Sequence, residues 1–471
     1  MNRTDYTRIA FVSSILILAF FFLKDVPFFW DGQSKATRAY WFYSHDFSQW
    51  VLPTTHNSGH PPLWPISIAL SWKLFGVALW PPRLLLLLIN IGVFFQLYLF
   101  VKRSFVAQVP MLLFFLICIE PTLVAQTTSL NNDMLLLFFA LLGINSLLRY
   151  NWTWYSLALT GLLLTNLRGI YFVVAFALLH FILVRKDYIE GGRKLLWAYL
   201  IGLSCFAIFL TYQYQTLGWV LLTPNESYAD HRDTTSLFNV LKNAAAYGKS
   251  MLEFGRFAVW IPLVLLLAAF FRSKKRMSSQ SAIVFVALLA FCLVFFFGMV
   301  PFSNPIAPRY FTICYLLSGI LLINVLFEAN LRPLIRKISL WTVGIAFISG
   351  HFWIYPPSIA QGWDSTLAHL FYFKQEEQML RYLEEAQLSV ADIGSNVQIR
   401  TSDLFFTKPE TDYDVPFAPL DLEANTYVLF SNIENRTGDE AIQTLQENWI
   451  PVKKFSRFGV FLTLYKNPAT P

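Results

Sequence analysis

Long apolar runs separated by short polar connections occupy the first 355 residues of the chain. A membrane-spanning helix needs about 20 mostly apolar residues, and many of the runs approach this length. The candidate spans are 9–24, 83–101, 106–125, 133–148, 153–167, 169–184, 195–212, 257–271, 281–300, 310–327 and 338–355. The pattern therefore predicts an all-α polytopic membrane protein with about 11 spans.

Basic residues concentrate in every second connection between these runs. Cytoplasmic loops of membrane proteins carry an excess of Lys and Arg, so a cytoplasmic N-terminus puts every cluster on the cytoplasmic side. The basic clusters are residues 102–103, 149, 185–186, 193–194, 272–276 and 332–337. The loops 25–80 and 213–256 and the C-terminus are then predicted to lie outside. This topology predicts an integral membrane protein with its C-terminus outside. Our preference is a bacterial inner membrane, where that side is the periplasm, and a eukaryotic membrane is the alternative.

Residues 62–79 form one further apolar stretch, which would reverse this pattern if it crossed the membrane. The stretch follows Pro61, begins at Pro62 and contains Lys73. Short or irregular segments at membrane depth occur where protein buries them. We predict a juxtamembrane or re-entrant helix here. The alternative is that this stretch crosses fully and another span is assigned wrongly.

The character of the sequence changes after residue 355. Charged, helix-like stretches at 374–387 and 438–448 accompany strand-like stretches at 396–401, 426–430 and 459–465. Alternation of apolar and polar positions indicates half-buried strands. We therefore predict two domains: a transmembrane domain over 1–355, with outer loops 25–80 and 213–256, and a small soluble periplasmic α/β domain over 356–471.

Composition supports the membrane assignment. The chain is 56% hydrophobic and only 14% charged, whereas soluble domains carry about 25% charged residues. The net charge of +7 does not indicate a nucleic-acid partner, because the basic residues that flank the spans account for it. All the cysteines lie in apolar runs and are interpreted as small core residues; they are Cys118, Cys205, Cys292 and Cys314.

Two aspartates stand out at the predicted outer ends of spans. Asp31 follows three aromatic residues shortly after the first span, and Asp133 opens the fourth. Acidic residues at such positions are often functional, but Asp is also a favoured helix cap, and a helix N-terminus favours negative charge. Both interpretations remain open for each residue. A shared site requires both residues on one membrane face, and the topology predicts this.

Basic residues near the same face are the other candidates. His60 precedes two prolines that fix a sharp entry to the juxtamembrane helix. Arg168 and Arg309, which Tyr310 follows, are predicted at the outer side. They depart from the pattern in which the cations that flank spans lie only on the inner side. Arginine binds phosphate with bidentate geometry, whereas snorkelling to the headgroups is the alternative. The charged run 228–233 in the second long loop is either a cover for substrate or a solvated face.

The ordered set of Asp31, His60-Pro61-Pro62-Leu63, Asp133, Arg168 and Arg309-Tyr310 on this topology resembles the GT-C glycosyltransferases of the dolichyl-phosphate-mannose protein mannosyltransferase type, including their bacterial aminoarabinose transferase relatives. The resemblance covers roughly residues 5–330. It implies transfer of a sugar, with inversion, from a polyprenyl-phosphate-linked donor to an acceptor protein, lipid or glycan on the outer face.

The resemblance also implies roles for individual residues. Asp31 would be the general base on the acceptor hydroxyl, Asp133 would help to shape the catalytic site, and Arg309 and Arg168 would hold the carrier phosphate. His60 and Tyr310 are further substrate-binding candidates. The family often has Asp-Glu in the first loop, but this chain has Asp31-Gly32, which leaves room for a different acceptor or for lost activity.

The scheme requires no cofactor, although Asp31 with Asp133 could hold a divalent metal weakly. A polytopic transporter, an oligosaccharide ligase of the cell envelope and a scaffold are the alternative functions. Transporters usually contain inverted repeats and charged residues near the bilayer midplane. No repeat is evident here, and the candidate residues gather at span ends instead.

Overall fold

The computed structural model describes residues 2–190, 192–226, 228–274, 276–397 and 417–469. Apolar runs form helices because a helix bonds every backbone polar group within the segment, as a membrane requires. The helices before residue 355 are α1 (Arg3–Leu23), α2 (Asp31–Ser44), α3 (Leu63–Phe75), α4 (Trp80–Ser104), α5 (Phe114–Cys118), α6 (Pro121–Gln126), α7 (Asp133–Leu147), α8 (Trp152–Thr165), α9 (Gly169–Arg185), α10 (Arg193–Leu217), α11 (Leu237–Leu252), α12 (Phe257–Arg272), α13 (Ser279–Met299), α14 (Thr312–Glu328) and α15 (Pro333–Gly350).

Five helices in the described ranges are long and apolar enough to cross a membrane by length and composition. They are α1, α4, α10, α13 and α14 with the turn that precedes it. The pair α11 and α12, bent by 96°, would be a sixth, and several other predicted spans correspond to shorter helices. The predicted fold class, a helical polytopic membrane protein with a small C-terminal α/β region, is confirmed.

The predicted span 106–125 is not one continuous helix. A 3-10 turn, Met111–Leu113, leads into α5, and α6 begins separately at Pro121. Pro121 has no N–H with which to continue α5. The Glu120 carboxylate caps the new helix by accepting a hydrogen bond from the Leu123 N–H at 2.7 Å. The expectation of an unbroken span was wrong because Glu120 and Pro121 together start a new helix.

Helices α2 and α3 form a hairpin-like pair beside the main bundle. Their facing side chains, among them Phe42, Trp64 and Trp72, are fully buried in a shared core. The Trp64 indole donates to the Leu130 carbonyl at 3.1 Å and ties the pair to the segment before α7. Since α2 carries several polar residues, this pairing fits a juxtamembrane location for both helices. Whether α3 crosses the membrane stays a prediction.

The C-terminal region forms a four-stranded sheet flanked by helices. Its elements are α16 (Tyr372–Glu385), β1 (Ile393–Ser395), β2 (Tyr427–Ser431), α17 (Asp439–Asn448), β3 (Ile450–Arg457) and β4 (Val460–Lys466). The strand order is β1-β2-β4-β3, with β1 and β2 parallel and the other pairs antiparallel. Helix α16 packs on β4 and β3. The boundary expected at residue 355/356 stays a prediction, but the sheet lies entirely beyond it.

Most predicted elements of this region are present, with two differences. A strand that the sequence did not predict runs over Ile393–Ser395. The strand expected at 396–401 stays a prediction, because residues 398–401 lie outside the described part of the chain, as does Lys275 of the fifth basic cluster. Sequence analysis missed β3. It is a largely exposed edge strand with Lys453 and Lys454, and charged residues are typical of such edges.

Candidate active site

Asp31 is the first residue of α2, and its side chain points toward Arg309 instead of capping the helix. The carboxylate Oδ2 accepts a hydrogen bond from Arg309 Nη2 at 2.5 Å. The side chain remains 50% exposed, and Oδ1 has no hydrogen-bond partner among the described residues. Trp30, immediately before it, has φ 40° and ψ −109°. A non-glycine residue in such a conformation is strained, and strain of this kind gathers at functional sites.

Arg309 lies in a 3-10 turn before α14 and contacts three carboxylates. Besides Asp31, its Nη1 contacts Asp364 Oδ2, and its Nε lies 3.3 Å from Asp133 Oδ2. The Nε contact is an ion pair without hydrogen-bond geometry. An arginine guanidinium stays protonated in proteins. The guanidinium is therefore permanently charged and directed at three acids.

Asp133 and Arg168 extend the same cluster. Arg168 Nη1 donates to Asp133 Oδ1 at 2.6 Å, and the Arg168 guanidinium stacks over the Tyr310 ring at 3.7 Å. Arg168 and Arg309 are only 11% and 10% exposed, so neither side chain reaches outward in the manner of a snorkelling residue. The structure thus brings together Asp31, Asp133, Arg168, Arg309 and Tyr310. Their chemical roles stay predictions.

His60 lies in an adjoining pocket, and within the described ranges no hydrogen bond or ion pair joins it to this cluster. Lys35, Arg38, Asn132 and Thr165 line the same pocket. His60 Nδ1 is buried and has no hydrogen-bond partner in the described part of the chain. Burial, together with the nearby charge of Lys35, lowers the pKa of His60 well below its ordinary value. His60 is therefore neutral at pH 7 and can exchange a hydrogen bond with a ligand.

Lys35 and Arg38 are site residues that sequence analysis missed. They follow Asp31 by four and seven residues on α2, a spacing that puts all three on one helix face. That spacing was the available signal. Arg38 is 8% exposed and donates to the His56 carbonyl at 3.0 Å and to the Tyr228 hydroxyl at 2.9 Å. Neither Lys35 nor Arg38 forms a salt bridge with a described carboxylate.

The charged run 228–233 of the second long loop packs against the first long loop. Arg232 Nη2 donates to the Ser58 carbonyl at 3.2 Å, and Tyr228 accepts the bond from Arg38. Asp233 and Thr235 are fixed in turn to the segment before α14, through hydrogen bonds with Ser303 and Pro301. This segment therefore packs beside the basic pocket, with Asp230 and Asp233 exposed. Whether it covers bound substrate or is a solvated face stays open.

Asp364 is the other residue that sequence analysis missed. It precedes α16 by eight residues, and its Oδ2 accepts a hydrogen bond from Asn131 Nδ2 at 3.0 Å as well as contacting Arg309. Nothing in the local sequence sets this aspartate apart from the other acids of the tail.

In the described ranges, no group of three or more His, Cys, Asp or Glu side chains is arranged so that it could hold a metal ion. Asp31 and Asp133, the pair considered for a weak divalent site, both contact Arg309. The expectation that no cofactor is required stays a prediction.

Comparison with known proteins bears on this arrangement. The family model of the dolichyl-phosphate-mannose-protein mannosyltransferases matches residues 59–214. No curated protein sequence matches the chain.

Two solved structures of ArnT from Cupriavidus metallidurans are similar along almost the whole length. The structure bound to undecaprenyl phosphate has a TM-score of 0.51 at 13% identity and covers 100% of this chain and 99% of its own. The apo structure has a TM-score of 0.54 at 12% identity and covers 98% of each chain. The resemblance indicated by the sequence is thereby confirmed, and this integral membrane protein has the fold of the GT-C glycosyltransferases of the protein mannosyltransferase and ArnT type.

Proposed function

We propose that the protein is an inverting glycosyltransferase that moves a sugar from a polyprenyl-phosphate carrier to an acceptor hydroxyl. The observation that carries this proposal is the partly exposed carboxylate of Asp31, which Arg309 orients beside a basic pocket. The fold supports the enzyme class, and the binding of undecaprenyl phosphate by ArnT supports the class of carrier. The fold comparison does not favour a transporter or an oligosaccharide ligase.

Asp31 is suited to act as general base. Partial desolvation raises the pKa of Asp31, but the positive charges of Arg309 and Lys35 outweigh that effect and lower the pKa below its ordinary value. The carboxylate is therefore ionised at neutral pH. Arg309 engages Oδ2 and leaves Oδ1 free to accept the proton of an acceptor hydroxyl within hydrogen-bond reach.

The basic pocket has the charge to bind the carrier phosphate, but its cavity of about 10 Å³ must open to admit the phosphate. Arg309 and Arg168, the phosphate ligands expected from the sequence, already have acidic partners. Lys35, Arg38 and Arg232, by contrast, have no salt-bridge partner among the described residues. Arg38 is buried, and Lys35 and Arg232 are half-buried. Positive charge withdrawn from water without a counter-charge is costly, and an anionic ligand would reduce that cost. We therefore assign the phosphate to these three cations with His60, and assign Arg309 and Arg168 to orienting the two acids.

The chemical step follows from this arrangement. Asp31 removes the proton of the acceptor hydroxyl as its oxygen attacks the anomeric carbon on the face opposite the phosphate. The bond between the anomeric carbon and the phosphate oxygen breaks, and its electron pair leaves with the phosphate. Lys35 and Arg38 stabilise the charge that develops on this oxygen in a site of low dielectric constant. Attack opposite the leaving group inverts the anomeric centre.

The proposal leaves the sugar open between a hexose and a pentose, and the acceptor open among protein, lipid and glycan. We place the reaction on the outer face of a bacterial inner membrane, with the N-terminus cytoplasmic and the C-terminus periplasmic. Helices α7, α9 and α14 each begin at or close to a site residue and end close to a basic connection, which supports an outer site by the positive-inside rule.

The test is turnover of a panel of polyprenyl-phosphate sugars by the purified full chain. Wild-type protein should release free polyprenyl phosphate, and Asp31→Asn should bind donor but turn over at least about 100-fold more slowly, as loss of a general base predicts. Asp25→Asn is the matched control, because Asp25 lies in the same loop and is 71% exposed. Equal turnover by Asp31→Asn and wild type would contradict the assignment of the base.

A further inference from the structure

The segment 361–369 links the last helix of the bundle to the C-terminal α/β region and is deeply buried. It contains the 3-10 turn Trp363–Ser365 and the start of a second one, Leu367–Phe371. Asp364, Ser365 and His369 are each no more than 2% exposed. A linker between a membrane bundle and a surface domain is ordinarily exposed and mobile. The burial of this segment therefore indicates a function beyond connection.

The segment is fixed to the bundle through its backbone as well as through Asp364. Gln126 Nε2 donates to the Asp364 carbonyl at 2.7 Å, and Thr122 Oγ1 donates to the Ser365 carbonyl at 3.1 Å. Both donors lie on α6, the short helix that Glu120 and Pro121 start. The break in the predicted span thus has a structural consequence: it presents two side chains to residues 364 and 365.

Helix α6 is itself held by a buried ion pair. Arg256 Nε donates to Glu120 Oε1 at 2.7 Å, and both side chains are 1% exposed. Arg256 also bonds Thr122 Oγ1 and stacks over the Tyr315 ring at 3.7 Å. Paired and hydrogen-bonded buried charges have one well-defined arrangement. Helix α6, which bonds the carbonyls of residues 364 and 365, is therefore itself held in one position.

The same segment contacts the loop that carries Asp31. Phe29 is 6% exposed and belongs to the hydrophobic core of the C-terminal region, together with Trp363. Its ring centroid lies 5.3 Å from that of His369, and Trp30 stacks on it at 5.0 Å. A strained backbone conformation such as that of Trp30 persists only where contacts with the surrounding structure hold it in place. The segment 361–369 and the hydrophobic core of the C-terminal region supply those contacts.

We propose that Asp364 is a positioning residue for the catalytic base, so that the segment 361–369 and the C-terminal region complete the catalytic centre. This inference rests on the proposed function of Asp31. Asp364 holds Nη1 of Arg309, which leaves only Nη2 to bond one oxygen of Asp31. Without Asp364, Arg309 loses the contact that fixes its Nη1, so Asp31 and the first turn of α2 lose the orientation that Arg309 gives them.

The experiment compares three variants of the full chain. Asp364→Asn keeps the shape and removes the charge, and Asp364→Glu keeps the charge. Asp421→Asn is the matched control, because Asp421 is an exposed acid of the same region that accepts hydrogen bonds from the Glu423 and Ala424 N–H groups. Steady-state kcat and KM are measured on the polyprenyl-phosphate donor. Hydrogen–deuterium exchange is measured over residues 29–34, which the proposal expects Asp364 to immobilise.

Asp364→Asn is expected to lower kcat about 10- to 100-fold, the cost of misplacing a catalytic group by about 1 Å, with KM unchanged within about threefold. Exchange of the amides that close the first turn of α2, including those of Gly32 and Gln33, should be faster. Asp364→Glu should restore kcat to within about tenfold of wild type, and the Asp421 control should match wild type.

Exchange over residues 29–34 that is unchanged by Asp364→Asn overturns the proposal, whether or not a donor is found. Faster exchange in the Asp421→Asn control also overturns it, because the effect would then be one of general domain stability. If wild-type protein turns over donor and Asp364→Asn has the same kcat, the positioning function is lost but the proposed enzyme function stands. If wild type turns over no donor in the panel, the enzyme function fails, and the exchange result alone decides whether Asp364 immobilises the loop.

Discussion

Arg309 bonds Asp31 at 2.5 Å across 278 residues of chain. Arg309 enters the site from the turn before α14, and Asp31 enters from the start of α2. Two segments so distant in sequence meet only when most of the bundle is assembled. The contact therefore makes the orientation of the proposed base dependent on the overall fold.

Replacement of Arg309 by Lys tests whether geometry or charge alone matters at this contact. Arg309 offers three nitrogen atoms in a fixed plane to three carboxylates, whereas Lys provides one compact charge. We expect kcat to fall about 100-fold with donor affinity nearly unchanged. The control is Arg381→Lys, at an exposed pair with Glu377, which should match wild type. If Arg309→Lys had the same kcat as wild type, catalysis would not require the planar guanidinium group.

The pH dependence of donor capture tests the proposed phosphate pocket. Burial, together with the neighbouring charge of Arg38, lowers the pKa of Lys35 to about 7. Lys35 is therefore charged below pH 7 in the free enzyme and loses its charge as the pH rises through that value. Because kcat/KM reports the free enzyme, we expect kcat/KM to fall above about pH 7.

The matched variant for this prediction is Lys35→Arg. Arginine stays protonated over the accessible pH range, so the fall in kcat/KM above pH 7 should disappear in this variant. The measurement is a kcat/KM profile from pH 6 to pH 9 for wild type and variant. Identical profiles would assign the titration to another group and remove the main support for Lys35 as a phosphate ligand.

The outer-end aspartates and arginines were predictable because each one departs from a simple pattern. Asp31 and Asp133 are acids beside long apolar runs, and Arg168 and Arg309 are cations on the wrong side for the positive-inside rule. Asp364 departs from no pattern. It lies in a tail rich in charged residues, and its meeting with Arg309 spans 55 residues and depends on how the tail folds back. No local signal carries that information.

The helices of the bundle could be predicted because apolar length is a strong signal over 15 or more residues. Weaker features failed for identifiable reasons. The break between α5 and α6 required recognition of Glu120 as a cap before Pro121. Strand β3 carries Lys453 and Lys454 near the middle of an exposed edge, which interrupts the apolar alternation on which strand prediction depends.

The buried pair of Glu120 and Arg256 predicts a large effect on stability. Removing one partner leaves an uncompensated buried charge, which costs about 3–5 kcal/mol. We expect Glu120→Gln to lower the melting temperature of the purified protein in detergent by several degrees or more. Glu377→Gln, at an exposed ion pair, is the control and should change it little. Equal melting temperatures for the two variants would mean that the pair does not stabilise the fold.

Membrane topology supplies the most general prediction, because the proposed reaction requires the site and the C-terminal region to share the outer face. Asp364 contacts Arg309, so these two parts lie at the same end of the bundle whichever way the protein is inserted. The positive-inside rule then fixes the direction: the connections at 102–103, 185–194 and 332–337 belong in the cytoplasm. An alkaline phosphatase reporter fused after residue 471 should be active, and one fused after residue 186 should be inactive. The opposite pair of results would put Asp31 in the cytoplasm, where the positive-inside rule would be violated at every connection and the proposed transfer on the outer face could not occur.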